Sequence, residues 1–298
     1  SRFWVFASIL IALLMTTPIW VLVSFVFEPG NENWQHLLDT LLPDYVVNSV
    51  LLMIGVALGT LLLGIPSAWL ISHYRFFGSR WLHWALLLPL AMPASIIAYT
   101  YTGVLEFEGP VQSWLRAIFS PEVSNWFPEI RSLGGAIILF SFVLYPYVYL
   151  LSRSSFGAQS QQALEVSRTL GVSPLRSFFS IAVPMARPAI IAGITLALME
   201  TLADFGAVQH FGVDTFTTGI YRTWSGLGDT TTAAQLSLVL LIFVASLILI
   251  ERWSRKQQRY FTQNKNDKAV LTTLYGRKSY FAFAVLSLIH ISEPTRPR

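Results

Sequence analysis

The sequence predicts an all-α, polytopic membrane protein. Of its 298 residues, 54% are hydrophobic and only 12% are charged, whereas a typical soluble domain carries about 25% charged residues. Several apolar runs reach the length of about 20 residues that a helix needs to cross roughly 30 Å of hydrocarbon. The six predicted spans are Phe3–Phe27, Val46–Ser72, Trp81–Tyr101, Gly134–Leu151, Pro188–Ala207 and Leu236–Trp253.

Two of these spans carry additional features. The first apolar run is longer than the hydrophobic core of a secretory signal peptide and lacks a clear cleavage pattern. We therefore expect it to remain as a membrane helix, which forms an N-terminal segment, 1–40, together with the loop that follows. In the third run, Pro89 and Pro93 predict a kink, because proline interrupts helical hydrogen bonding.

The positions of the basic residues predict the orientation in the lipid bilayer. They concentrate in the loops after the second, fourth and sixth spans, whereas the other loops are mainly acidic. Cytoplasmic loops are enriched in Lys and Arg, so these three loops and the N-terminus are predicted to be cytoplasmic. The net charge of +4 therefore does not indicate a nucleic-acid partner.

Cysteine is absent, which excludes disulfides, thiolate metal sites and cysteine nucleophiles. The five histidines are scattered, without the spacing of metal ligands. No catalytic residue and no metal site are therefore predicted.

A polar interruption separates the fourth and fifth spans at residues 165–184, which read EVSRTLGVSPLRSFFSIAVP. Residues 159–170 have the periodicity of an amphipathic helix that is too polar to span. Gly171 is suited to end that helix, and Ser173 and Pro174 are typical of the cap and first turn of a second helix. Pro184 and Pro188 are predicted to redirect the chain before the fifth span begins.

This interruption resembles the EAA signature of ABC-transporter permeases. Glu165, Gly171, Ile181 and Pro184 match that signature in type and spacing. The two alanines of the signature are replaced by Val166 and Ser167, and its penultimate leucine by Val183. The sequence therefore resembles the permeases of type I, or MetI-like, binding-protein-dependent importers.

The resemblance implies that segment 159–185 contains a cytoplasmic coupling helix, which docks on the ATP-hydrolysing subunit. Glu165 would make a polar contact with the ATPase or cap its neighbouring helix, and Gly171 would permit the bend. Apolar contacts would come from Leu170, Leu175, Phe178 and Phe179. The predicted coupling residues are Glu165, Arg168, Leu170, Gly171, Ser173, Pro174, Leu175, Ile181 and Pro184. Since no G-x-x-x-x-G-K-[ST] motif occurs in the sequence, we expect ATP to bind a partner ATPase dimer, and this chain to bind no cofactor and not to be an enzyme.

The resemblance covers 41–258, which is expected to form a six-helix MetI-like permease core. Residues 86–116 and 199–224 resemble the ferric-iron branch most closely. The family implies a bacterial cytoplasmic (inner) membrane location and an extracytoplasmic substrate-binding protein that delivers the substrate. Thiamine, a phosphonate, a polyamine or sulfate are alternative substrates, and a membrane scaffold or an intramembrane enzyme are alternatives of another class.

Glu200 and Asp204 are candidate pathway residues. On a helix that begins at Pro188 they lie about 18 Å and about 24 Å along the axis, and a spacing of four residues places them on one face. They are expected to line the pathway or shape its outer gate. In the alternative, Asp204 lies at the outer interface and Glu200 bonds a neighbouring helix. Tyr99 and Tyr101 are further pathway candidates, with packing or interface anchoring as the alternative.

The C-terminal part predicts the beginning of a second half. A basic cytoplasmic linker, 259–279, precedes an apolar run that starts at Tyr280 and is too short to span a bilayer. Ferric-iron permeases often carry two six-helix halves, so we expect a first half and the truncated start of a seventh span, 280–298, whose last residues are an artefact of truncation. The missing second permease half would be a partner. A genuine short tail is the alternative.

Overall fold

The computed structural model describes residues 2–28, 32–119, 127–158, 169, 171–256, 272–273 and 276–291. Nearly all of these residues are helical, which confirms the all-α prediction. The helices are α1 (Arg2–Ser24), α2 (Glu32–Thr40), α3 (Leu42–His73), α4 (Ser79–Ala85), α5 (Ala94–Leu105), α6 (Pro110–Ile118), α7 (Leu133–Ala158), α8 (Pro174–Ser177), α9 (Val183–Ala203), α10 (Gly206–His210), α11 (Phe216–Tyr221), α12 (Thr230–Lys256) and α13 (Arg277–Ile291). Strands β1 (Tyr74–Arg75) and β2 (Thr272–Thr273) pair in parallel.

Five stretches of the described chain are long and apolar enough to cross a membrane. They are Arg2–Ser24, Leu42–His73, Leu133–Ala158, Pro174–Ala203 and Thr230–Trp253. A sixth is reached only if the helical pair Ser79–Ala91 and Ala94–Ile118, whose axes differ by 97°, counts as one span. The predicted third span, Trp81–Tyr101, is therefore wrong as a continuous helix.

Proline explains this break. A short 3-10 turn, Leu88–Ala91, ends at Met92, whose ψ of 135° is extended, and Pro93 follows with a ψ of 136°. The ring of a proline clashes with a helical conformation at the preceding residue, which forces Met92 out of the helix. The predicted kink is thus a sharp bend at Met92–Pro93, with an angle of 97° between the helical axes on either side.

The larger of two compact units comprises Leu51–Val213 and Leu247–Arg298, and α7 forms its centre. Buried side chains along α7 include Leu139, Phe140, Tyr145 and Tyr149. Glycines let neighbouring helices approach it closely: Gly59 of α3 faces Ser141, and a Cβ on Gly193 of α9 would lie 2.7 Å from the Cα of Val148. Such contacts leave no room for a side chain.

Helix α13 packs within this larger unit. Its Ser279 hydroxyl accepts a hydrogen bond of 3.1 Å from the Phe77 amide, and Ala282 and Leu286 are buried in the cluster that contains Leu82 of α4. Its 15 residues extend about 22 Å, less than the hydrocarbon thickness of a bilayer. Most of the predicted linker 259–279 lies outside the described residues.

The smaller unit comprises Ser1–Val50 and Asp214–Ser246. Its core contains Leu37, Tyr45, Phe216 and Leu236. The Asp229 carboxylate caps α12, since it accepts bonds from the Thr232 amide and hydroxyl at 3.0 and 2.7 Å. No residue of α1 is buried, so most of the apolar surface of this helix is exposed.

Replacement of Gly193 by leucine is expected to destabilise the protein by about 1–3 kcal/mol, because α9 must move away from the Val148 backbone. Thermal unfolding of the detergent-solubilised protein measures the effect. Gly157→Ala is the control, since a Cβ at Gly157 of α7 meets no atom within 4 Å. Equal melting temperatures for Gly193→Leu and the native protein would contradict the close α7–α9 packing.

Candidate functional site

The bend predicted at Gly171 is present. Gly171 has a φ of +75°, in the left-handed region that favours glycine, although a Cβ there would meet no atom within 4 Å. Glycine is therefore favoured at this position by the backbone conformation and not by a lack of space for a side chain. Ser173 is extended, its Oγ accepts a bond of 3.4 Å from the Arg176 amide, and Pro174 begins α8. The predicted cap and first-turn proline are confirmed.

Residues 159–168 and 170 of the predicted coupling segment lie outside the described residues. Glu165, Arg168 and Leu170 belong to that part, as does the predicted amphipathic helix 159–170 apart from Thr169, which is helical. The roles of these residues in coupling remain predictions.

The structure changes the predicted start of the fifth span. Helix continues from Pro174 to Ala203 over 30 residues, passing through a wider π-helical turn at Phe178–Ala182. Pro184 lies in the first turn of α9 and Pro188 inside it, so the prediction that these prolines redirect the chain is wrong. A proline lacks an N–H donor, and the wider turn directly before α9 accommodates a local change in hydrogen bonding.

This helix has two different faces near its start. Leu175 and Phe179, one turn apart, are 73% and 66% exposed. Phe178 instead packs inward, with its ring centroid 5.1 Å from Trp69 of α3 and 6.4 Å from Phe156 of α7. Phe178 is half-buried by these contacts, and its ring centroid also lies 4.8 Å from that of Phe179, so its contribution to an ATPase contact stays a prediction.

Ile181 and Pro184 complete the described part of the predicted coupling set. Ile181 is half-buried and Pro184 is exposed. The available apolar surface of the segment is thus formed chiefly by Leu175 and Phe179, and the aromatic packing of Phe178 fixes the opposite side of the helix to α3 and α7.

The two predicted pathway carboxylates do not share one helical face. Glu200 is exposed in the last turn of α9, and the helix ends at Ala203. Asp204 has a ψ of 128°, and its Oδ1 accepts bonds from the Ala207 and Val208 amides at 2.8 and 3.4 Å. Asp204 therefore caps α10. Its burial raises the pKa of this carboxyl group, an effect that these two backbone bonds oppose.

Tyr99 lies beside a histidine that sequence reasoning did not select. Its ring centroid is 5.2 Å from that of His210, and His210 Nε2 is 2.6 Å from the hydroxyl of Thr102. Burial, and then the charge of Arg131, lower the pKa of His210, so its imidazole is neutral near pH 7. Tyr101 differs from Tyr99, since it packs partly buried against the apolar core.

Packing of α10 against α5 is what brings Tyr99, Thr102 and His210 together. The sequence contains no local signal for this contact, because Thr102 and His210 are far apart along the chain. Among the described residues, no group of three or more histidines and carboxylates is arranged to hold a metal ion. The described contacts therefore indicate a mixed polar and aromatic surface.

Residues 60–258 match the family described as "Binding-protein-dependent transport system inner membrane component". This chain belongs to that family. The match lies within the predicted permease core and confirms both the resemblance to ABC permeases and the multi-pass inner-membrane assignment. It also explains the composition, because such a component must expose apolar helices to lipid.

Two curated relatives from Haemophilus influenzae differ in the substrate that their names give. The Fe(3+)-transport system permease protein FbpB 2 is 29% identical over 286 residues, which cover 95% of this chain and 52% of that protein. The molybdenum transport system permease protein ModB is 26% identical over 223 residues, which cover 72% of this chain and 95% of that protein. The chain thus spans about half the length of FbpB 2.

Solved structures of ABC importers show the same fold. A chain of the bacterial alginate ABC transporter, in complex with an alginate pentasaccharide-bound periplasmic protein, aligns with a TM-score of 0.62 and 15% identity. The alignment covers 86% of this chain and 95% of that chain. At this identity the likeness concerns the fold alone.

Asp204→Asn is expected to retain the cap on α10, and Asp204→Leu to lose about 0.5–2 kcal/mol of stability at pH 7. The asparagine keeps an acceptor for Ala207 and Val208 and avoids burying a charge. Thermal unfolding of both variants measures this difference. Equal stability of the two variants would contradict the capping role.

The same variants give a pH test. The native carboxyl group keeps its proton to a higher pH than the unfolded one. The native protein should therefore gain stability as pH falls through the raised native pKa toward the usual value of 3.8. Asp204→Asn should lack this contribution.

Proposed function

We propose that this chain is one permease half of an ABC importer and forms part of the transmembrane pathway for ferric iron. The family match over residues 60–258 carries the permease role. The relative named as an Fe(3+) permease, aligned over 95% of this chain, supports iron as the substrate. The substrate would arrive on an extracytoplasmic binding protein, and a second permease half would complete the pathway.

The geometry of the 171–184 segment supports coupling to a separate ATPase dimer. Leu175 and Phe179 offer an exposed apolar contact, and Phe178 anchors the same helix to Trp69 and Phe156. The helix continues to Ala203 over 30 residues, a length of about 45 Å. A displacement imposed on its exposed start would be carried along this helix toward Glu200 and Asp204.

The sequence supports ATP hydrolysis on a partner subunit and not on this chain. This chain has no phosphate-binding motif, so ATP would bind and be hydrolysed on the partner, and the permease would bind no cofactor and perform no covalent chemistry. The distribution of basic residues supports a cytoplasmic N-terminus and a cytoplasmic coupling segment. Transport would consist of a switch between outward and inward openings.

Molybdate is a second candidate substrate. The relative named as a molybdenum permease aligns over 95% of its own length. A ferric ion and an oxyanion carry opposite charges, so a single uptake comparison separates them.

Gly171→Trp is expected to lower substrate uptake by more than about tenfold, equivalent to roughly 1.4 kcal/mol. A Cβ is strained at a φ of +75°, and the large side chain would disturb the docking surface. Uptake and ATPase co-purification are the measurements. Gly276→Trp is the matched control, because Gly276 also has a positive φ, +59°, and open space around it.

Glu165→Arg is a companion variant that reverses the charge expected to contact the ATPase. If both Gly171→Trp and Glu165→Arg keep native uptake and ATPase association, the coupling role is wrong. Membrane insertion of each variant is verified first, so that loss of the protein is not mistaken for loss of coupling.

Cells that contain this chain with its ATPase, binding protein and second half are expected to accumulate labelled ferric iron, and excess molybdate should not compete. Cells with Gly171→Trp provide the background. Saturable uptake of molybdate without uptake of iron would overturn the iron assignment and leave the permease assignment in place.

A further inference from the structure

Helix α6 has an unusual arrangement of polar and apolar side chains. Its one buried residue is Gln112, 7% exposed, whose Nε2 donates a bond of 2.8 Å to the Leu105 carbonyl. Trp114 and Ile118, one turn apart, are 61% and 54% exposed. A helix on a water-exposed surface normally buries its apolar face and exposes its polar one. In α6, the Gln112 amide is buried, whereas Trp114 and Ile118 are exposed and Val111 and Leu115 are half-buried.

Arg116, the charged residue of α6, is also held by the protein. Its Nη2 donates to the Phe107 carbonyl at 2.7 Å and to the Ser113 hydroxyl at 3.2 Å. Its guanidinium carbon lies 4.1 Å from the centre of the Phe107 ring, a cation–π contact. Gln112 and Arg116 thus both bond to the preceding segment of the chain, at the Leu105 and Phe107 carbonyls, and neither bond involves the face that carries Trp114 and Ile118.

We propose that α6 lies in the membrane interface with Trp114 and Ile118 inserted among the lipid chains. The proposal rests on the membrane location of the family and goes beyond the transport role. The helix follows α5 after four residues, 106–109, in the bent apolar pair that reaches the length of a span only if its two parts are counted together. Its exposed face therefore follows a stretch that is apolar enough to lie in lipid.

The residue types of α6 favour lipid over a protein partner. Tryptophan is enriched at membrane interfaces, because its ring is amphipathic. Phe107 and Phe119, which flank α6, are exposed aromatic residues as well. Residues 110–118 contain no acidic residue, which anionic headgroups would repel.

Anchoring of α6 would act on the candidate pathway. Helix α5 packs against α6 at one end and presents Thr102 to His210 of α10. Because the third span is broken at Met92–Pro93, α5 lacks the support of an uninterrupted membrane helix. An interfacial α6 would hold α5 at a constant depth and thereby keep Tyr99 and Thr102 beside His210.

The absence of native cysteine permits a direct test. Trp114→Cys and Ile118→Cys are labelled with a nitroxide in the full chain, reconstituted in vesicles of phosphatidylethanolamine and phosphatidylglycerol. Ser113→Cys is the matched control, since Ser113 is exposed but about 100° from Trp114 around the helix. Collision rates with oxygen, which partitions into lipid, are compared with those of a water-soluble nickel chelate.

The ratio of oxygen to nickel collisions should be several-fold higher at positions 114 and 118 than at 113. A ratio equal to that of the control places the face in water and overturns the proposal. Low collision rates with both reagents place it against a protein and overturn it equally. Ile118→Cys retains the test if Trp114→Cys fails to insert, and the outcome is independent of whether the chain imports iron.

Discussion

Close approach of two helices to α7 is the constraint on which the larger unit depends. Lipid chains are as apolar as the helices themselves, so membrane helices associate through close contact rather than through exclusion of water. Glycine on α3 and α9 allows that contact. The facing pairs are Gly55 with Ile137, Gly59 with Ser141, Gly64 with Val148, and Gly193 with Val148.

This packing determines which helices a displacement of the proposed coupling segment would reach. Phe178 is enclosed by Trp69 of α3 and Phe156 of α7, two of the helices that the glycines bring together. The same helix ends beside Asp204, whose carboxylate caps α10. At the other end of α10, His210 contacts Thr102 of α5. The proposed coupling surface and the candidate pathway are thus connected by one helix, Pro174–Ala203, which the packed rings of Phe178, Trp69 and Phe156 hold against α3 and α7.

The broken third span creates a different structural problem. Backbone groups that leave a helix within a membrane must find partners in the protein, because lipid offers none. Leu88–Ala91 meets part of this requirement with a tight turn, and the Tyr145 hydroxyl of α7 donates a bond of 2.9 Å to the Leu86 carbonyl just before it. Helix α7 therefore contacts the residues before the break as well as α3 and α9.

Sequence reasoning succeeded where neighbouring residues decide the structure. The helical class follows from long apolar runs, and the bend at Gly171 and the cap at Ser173 follow from backbone preferences of a few adjacent residues. Those preferences act through local hydrogen bonds and sterics, so they can be read without the fold. The family resemblance likewise depended on local spacing within residues 165–184.

By itself, the sequence determined the helical class, five of the six apolar spans and this capped bend, because composition and local backbone chemistry specify them. Only the tertiary structure decided that α9 continues through Pro184 and Pro188, that Phe178 turns inward, and that Asp204 caps the next helix. It also brought His210 to Tyr99. The physical reason is that packing partners from distant parts of the chain select among conformations that local preferences leave close in energy.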